Sequence, residues 1–345
     1  MRCALLRNYQ KEADVKSESR KVAVLGDVNI DIFLNIPTYP PPGGDAMADQ
    51  MELHTGGSAA NTAILLSRLG FQTEMLTHTG DDPWADIAFR TLRAERVGLD
   101  HLSRDGMAGT GLIFLPVTPN GERTMFSYHG ANALLSPAEI TPPLFDEVAL
   151  LHISGYALLQ SPQKEAAWCA LELAQARGIP VTLDLGVEPA AVLGQDLERL
   201  LGRLDLLVLG PQEALLLAKQ PELEPALETL LACGVKTIGL KLGLEGCLLV
   251  TTGKRARLPG FPVETIDTTG AGDAFSAALI YGRLNSLSLE ARGLLANAFG
   301  AVATTVWGGG AAFPGLDAVK NLLSRPGDAL QPFKPWLAEA LAALD

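Results

Sequence analysis

An α/β fold, built on a mainly parallel sheet with helices on both faces, is what this 345-residue chain predicts. Short apolar runs of strand character alternate with longer stretches of helical spacing, the rhythm of strand–helix–strand units. Two segments break that rhythm with strands that have no helix between them, which suggests a small second β-layer. Two glycine-rich turns each open straight into a helix, which marks where backbone and ligand can meet.

The elements follow in order. Residues 1–20 are charged, lack an apolar core and read as a loose leader, not a secretory signal. "KVAVLGDV" (Lys21 to Val28) reads as a buried strand. Residues 34–55 are rich in Pro and Gly and end in alternating residues. "SAANTAILLSRLG" has helical spacing and stops at Gly70, the usual terminator. "TEMLTHTG" reads as strand and "PWADIAFRTLRAERVG" as helix. Residues 110–129 read as a hairpin around "PNGE", where Asn-Gly favours a tight turn. The two irregular segments fit either a separate β-layer or an edge hairpin. "EVALLHISG", "IPVTLDLG", "LDLLVLG" and "KTIGLKLG" add apolar strands, spaced by the helical "SPQKEAAWCALELAQARG" and "PALETLLACG".

Composition removes several function classes. A hydrophobic share of 48% supplies a large core, so disorder is expected only at the ends. The net charge of −12 repels nucleic acid and anionic lipid. No apolar run nears the roughly 18 residues of a membrane helix. Cys3, Cys169, Cys233 and Cys247 lie far apart with no CxxC pair, which points away from zinc or disulfides and toward a reduced cytoplasmic protein. The five histidines show no HExxH-type spacing.

The chemistry concentrates in "DTTGAGDAF" (Asp267 to Phe275). A helix start exposes unpaired N–H groups and partial positive charge, and Gly270, Ala271 and Gly272 let an anion approach them. Asp273 stands at the same helix start. A carboxylate beside an anion cradle is repelled by the anion. It is useful there if it takes a proton from the hydroxyl that attacks the cradled phosphoryl group; read alone, it also fits a helix cap. The third glycine of a dinucleotide fingerprint is replaced by Phe275, and no Walker A loop or protein-kinase signature is present. "GGSAAN" (Gly56 to Asn61) opens a second helix, with Gly56 and Gly57 permitting close approach and Asn61 offering donor and acceptor. In "GDVNID", Asp27, Asn29 and Asp31 alternate and would share one strand face, as a site for a neutral, hydroxyl-rich molecule or as a solvated strand end.

Together these motifs resemble the ribokinase/PfkB sugar-kinase family, from about Val22 to Pro314. The resemblance implies a three-layer α/β/α kinase domain (21–33, 56–109 and 130–345) with a β-sheet lid made of 34–55 and 110–129. It implies ATP-dependent phosphorylation of a sugar hydroxyl with Mg²⁺. Asp273 takes the position of the base, Gly270 to Gly272 the phosphoryl cradle, and Asn29, Asp31, Gly57 and Asn61 the sugar contacts. Lys241, Gly243 and Gly246 in "KLGLEG" correspond to the ATP-phosphate side, and Asn297, Gly308 and Gly309 to the surroundings of adenine. Asp267 and Thr269 resemble a potassium-type cation site. The family's N-x-x-E segment appears as "GPQE", with Gly210 in place of Asn and Glu213 kept as the Mg²⁺-linked residue. "DLGVE" keeps Asp184 of a D-x-N-x-R pattern and loses the Asn and Arg. Only His54 is basic near the first glycine motif, which favours an unphosphorylated acceptor. A nucleoside kinase of the same fold, with Tyr39, Phe114 and Phe126 stacking a base, is the alternative within the class. A non-catalytic sugar or nucleotide sensor is the alternative outside it. His129 is a candidate substrate contact, Arg123 reads as a solvated charge, and lid strands offer edges for a homodimer.

Overall fold

The computed structural model describes residues 20–119, 122–193 and 199–345. The expected leader and the Asn120–Gly121 turn therefore lie outside the described residues, except for Arg20.

The chain enters through β1 (Lys21–Leu25), then runs β2 (Asn29–Asn35), β3 (Gln50–Gly56), β4 (Gln72–Gly80), β5 (Leu102–Asp105), β6 (Gly111–Val117) and β7 (Phe126–Tyr128). It continues as β8 (Val148–Ser154), β9 (Val181–Asp184), β10 (Leu206–Leu209), β11 (Ile238–Lys241), β12 (Cys247–Val250) and β13 (Arg255–Leu258). Nine strands make one sheet in the order β13-β12-β11-β10-β9-β8-β1-β4-β5, parallel except for the β11–β12–β13 edge. Four others make a second sheet in the order β3-β2-β6-β7.

The layering follows from strand period. In β1, Val22 and Val24 enter one core while Ala23 and Leu25 enter the other. Helices 58–68, 271–284 and 289–303 cover the first face; helices 163–176 and 223–232 cover the second. Such buried aliphatic side chains contribute about 1.5–3 kcal/mol each. The sequence-derived boundary of the smaller sheet needs correction. It starts at Asn29, not at Leu34, because β2 pairs with β3 and β6 along its whole length.

β1 pairs in parallel with β4 on one side and β8 on the other, so chain order reverses there. Ligands in open α/β sheets bind at such a switch point, beyond the carboxyl ends of the strands. Asp27 follows β1, while Ser154, Asp184 and Lys241 close β8, β9 and β11. The small sheet stands over this end. Its Asp31, Ile113, Leu115 and Ser127 line a cavity beneath it. The alternate residues Met51, Leu53, Phe114 and Phe126 lie on its outer face and are exposed. Among the described residues no helix is long and apolar enough to cross a membrane.

Candidate active site

Two neighbouring cavities, of about 640 and 490 Å³, meet at Lys241, Thr268 and Gly272. Between them begins the Ala271–Leu284 helix, with Gly270 at its N-cap in the left-handed region at φ 75°. A Cβ on Gly270 would lie 2.7 Å from the Gly309 Cα, so backbone angle and packing both require glycine there.

Asp273, in the first turn of that helix, lines the larger cavity. The Ser58 hydroxyl donates to its Oδ1 at 2.7 Å and the Asn61 amide to its Oδ2 at 2.8 Å. Both donors come from the helix that Gly57 opens, so the two glycine motifs converge on one carboxylate. Burial, then repulsion from Asp184, raises the Asp273 pKa to about 6, against the lowering effect of Asn61, Ser58 and Lys241. A carboxyl poised there is ionised near neutrality and basic enough to accept a proton.

The remaining walls of the larger cavity combine apolar side chains, among them Ile113, Leu115 and Leu185, with a cluster of polar and acidic ones. Asp27 is buried, accepts from the Gln163 amide at 2.8 Å and lies 3.0 Å from His129 Nδ1. Its hydrogen bond raises the His129 pKa. Asn29 Oδ1 accepts from the Asn132 amide at 2.8 Å. Asp31 is pushed up to about 7 by burial and by the charges of Asp273 and Asp267. Among the described residues, Asp31 Oδ1 and Asn61 Oδ1 are buried acceptors without a hydrogen-bond partner. Asp27 sits in the turn before β2, not on the strand as expected, yet Asp27, Asn29, Asp31, Gly57 and Asn61 all line this cavity. Gly56 does not, but supports Asp31: a Cβ there would lie 2.2 Å from the Asp31 Oδ2.

Lys241 donates to Asp184 Oδ1 at 2.8 Å, and the Ser276 hydroxyl donates to Asp184 Oδ2 at 2.8 Å. Burial alone would lower the Lys241 pKa; Asp184, Glu213 and Asp273 outweigh it and hold the ammonium charged. Glu213 borders the larger cavity, accepts the Gly210 N–H at 2.7 Å, and has its pKa raised by burial. The smaller cavity is walled by Gly243, Leu244, Gly246, Phe261, Phe275 and Asn297 among others.

Several sequence expectations change. Gly308 and Gly309 do not line the smaller cavity; they pack on His54, Asn61 and Gly270, and the Gly308 N–H donates to Asp267. Phe114 and Phe126 belong to the outer face of the small sheet, and Tyr39 also lies outside the larger cavity, so none is set to stack a base there. Arg123 is not simply solvated: its guanidinium donates to Asp267, Thr268 and Thr269. Ser58 and the Lys241–Asp184 pair were missed as partners of Asp273. Ser58 was signalled by its place between Gly57 and Asn61, whereas the ion pair joins residues 57 positions apart.

Known proteins resemble this chain over most of its length. A family model described as pfkB family carbohydrate kinase matches residues 19–315. The ribokinase of Staphylococcus aureus is 29% identical, over 77% of this chain and 87% of its own length. The fructokinase of Klebsiella pneumoniae is 29% identical, over 88% of this chain and 99% of its own. A ribokinase from Thermotoga maritima superposes with a TM-score of 0.74 at 26% identity, covering 88% of this chain and 99% of that one. With the family model spanning most of the chain and the two glycine motifs meeting at Asp273, this protein belongs to the pfkB family of carbohydrate kinases and is a phosphotransferase with an alcohol group as acceptor.

Proposed function

We propose that the chain phosphorylates a hydroxyl of a neutral, unphosphorylated sugar at the expense of ATP, with Asp273 as the base. The observation that carries this reading is the row of Asp27, Asn29, Asp31 and Asn61 lining the cavity that holds Asp273, with Asp31 Oδ1 a buried oxygen without a hydrogen-bond partner among the described residues. Buried acceptors call for donors, and a polyol supplies them. The acidic walls add discrimination. Asp27, Asp31, Asp184, Glu188, Glu213 and Asp273 face Arg123, Lys241 and His129, a balance that disfavours an anionic acceptor.

In this reading the acceptor hydroxyl loses its proton to Asp273 as its oxygen attacks the γ-phosphorus, and the bond from that phosphorus to the bridging oxygen breaks. The Gly270, Ala271 and Gly272 N–H groups and Lys241 stabilise the charge on the transferring group. The smaller cavity, with Gly243, Gly246 and Asn297, takes the nucleotide. Mg²⁺ neutralises the phosphates when bound. Glu213 fits as its protein partner through water, since one of its oxygens already accepts the Gly210 N–H. The small sheet acts as the lid that excludes competing water.

A coupled assay of ATP consumption over neutral pentoses and hexoses, their phosphates, sugar acids and nucleosides tests the proposal. A neutral sugar is expected to exceed its phosphate by about 100-fold in kcat/KM, about 2.8 kcal/mol. A better rate with a phosphorylated sugar or a nucleoside rejects it.

A further inference from the structure

The buried carboxylate of Asp267 lies behind the Gly270–Gly272 cradle, where the family resemblance implies a potassium-type cation. Its Oδ1 accepts from the Thr269 N–H at 3.0 Å and the Thr269 hydroxyl at 2.9 Å, and its Oδ2 from the Gly308 N–H at 2.9 Å. The Arg123 guanidinium also donates to Oδ1 and to the Thr269 hydroxyl oxygen, while its other terminal nitrogen donates to the Thr268 hydroxyl oxygen at 2.8 Å. An ionised carboxylate has about four acceptor positions. Oδ1 takes three donors, two from Thr269 and one from Arg123, and Oδ2 takes one from Gly308. A metal cation at Oδ1 would have to displace a donor, and one at the remaining position of Oδ2 would lie beside a guanidinium, whose like charge repels it. The residues do not fit the cation.

We propose that Arg123 replaces the monovalent cation. The fixed guanidinium neutralises Asp267 and ties together the three residues, Asp267, Thr268 and Thr269, that lead into Gly270. It thereby holds the turn whose N–H groups point at the transferring phosphoryl group, and so acts as a positioning residue. A diffusible ion would bind to the turn independently of the small sheet. Arg123 is part of the connection between β6 and β7, bridged to Val117, so its charge is delivered by that sheet and leaves with it. The effect on catalysis rests on the cradle reading above; the filling of the Asp267 site does not.

The test measures turnover and thermal unfolding of the full chain in potassium chloride and in choline chloride at equal ionic strength. Wild type is expected to change by less than about twofold in turnover, with the same Tm in both salts. Arg123→Ala is expected to lose about 10- to 100-fold in choline chloride. Potassium is then expected to restore at least about tenfold of that, and to raise the Tm of this variant alone. Arg123→Lys, which keeps charge but not the fork, is expected to fall between them. Potassium activation of wild type by about tenfold or more overturns the proposal, and so does an Arg123→Ala protein whose turnover and Tm both ignore potassium. If Arg123→Ala does not fold, the wild-type and Arg123→Lys salt responses decide. The Tm arm reads ion binding without catalysis, so a wrong acceptor or a wrong base leaves it valid.

Discussion

The two cavities share Lys241, Thr268 and Gly272 but are made of different material. The larger adds to an apolar wall a set of ionisable and amide side chains, several of them buried and locked to one another. The smaller is walled by glycine backbone and by Leu244, Phe261, Phe275 and Ala301, with Lys241 at its mouth. The difference teaches how one site can be strict on one side and tolerant on the other. An acceptor that leaves a buried carboxyl unmatched loses a charge-assisted hydrogen bond, about 1.5–3 kcal/mol. A flat apolar slot discriminates mainly by shape, at about 1–3 kcal/mol per misfit group.

Removing the carboxylate between the cavities gives the largest expected effect. Asp273→Asn preserves the shape of the site and one of the two bonds accepted from Ser58 and Asn61, so calorimetry should still detect both ligands. Its kcat should drop by about 10²- to 10⁴-fold, the usual contribution of a general base. A variant with near-normal kcat would remove Asp273 from the chemistry.

A crossed pair of substitutions comes next. Asp31→Ala should raise the acceptor KM by about 10- to 100-fold and leave the ATP KM within about twofold. Ala301→Phe, which fills the smaller cavity, should raise the ATP KM by about tenfold and spare the acceptor. Initial-rate kinetics with each ligand varied would show the crossing; if both variants moved both constants equally, the two cavities would be one functional unit.

The smallest effect is on pH. The Asp273 pKa is raised to about 6, and the proposed base works in its ionised form. Activity should therefore be present above that value and decline as pH falls through it, by about tenfold per unit well below it. The kcat/KM profile of wild type between pH 5 and 8 measures this, and an acid limb near the ordinary carboxyl range of about 4 would contradict the burial argument.

Much of the site was legible because its chemistry is local. A glycine that must take φ 75° and an aspartate in the same helical turn lie three residues apart, so "TGAGDAF" carries both the proposed cradle and the proposed base in its letters. "GGSAAN" likewise carries the two donors that hold Asp273, of which the sequence reading picks out Asn61 but not Ser58. Where the reading failed, the partner lay far along the chain. Arg123 and Asp267 are 144 residues apart, and a lone arginine beside a turn looks solvated until a second sheet brings it to a carboxylate. Gly308 and Gly309 lie in a glycine run that could face either side of the Ala271–Leu284 helix, and their packing on Asn61 and Gly270 decided which. The small sheet begins earlier than expected because strand character is the same in either sheet; only pairing with β3 and β6 assigns Asn29 to Phe33 to it.

The sequence by itself therefore determined the layered α/β architecture, the two glycine turns and the carboxylate between them, because strand period, helix caps and left-handed glycines act within a few residues. The tertiary structure alone decided which charges meet. Burial that lifts Asp273 and Asp31, the Lys241–Asp184 pair and the guanidinium on Asp267 all arise from segments the chain keeps far apart, and electrostatic energy depends on distance in space and on exclusion of water.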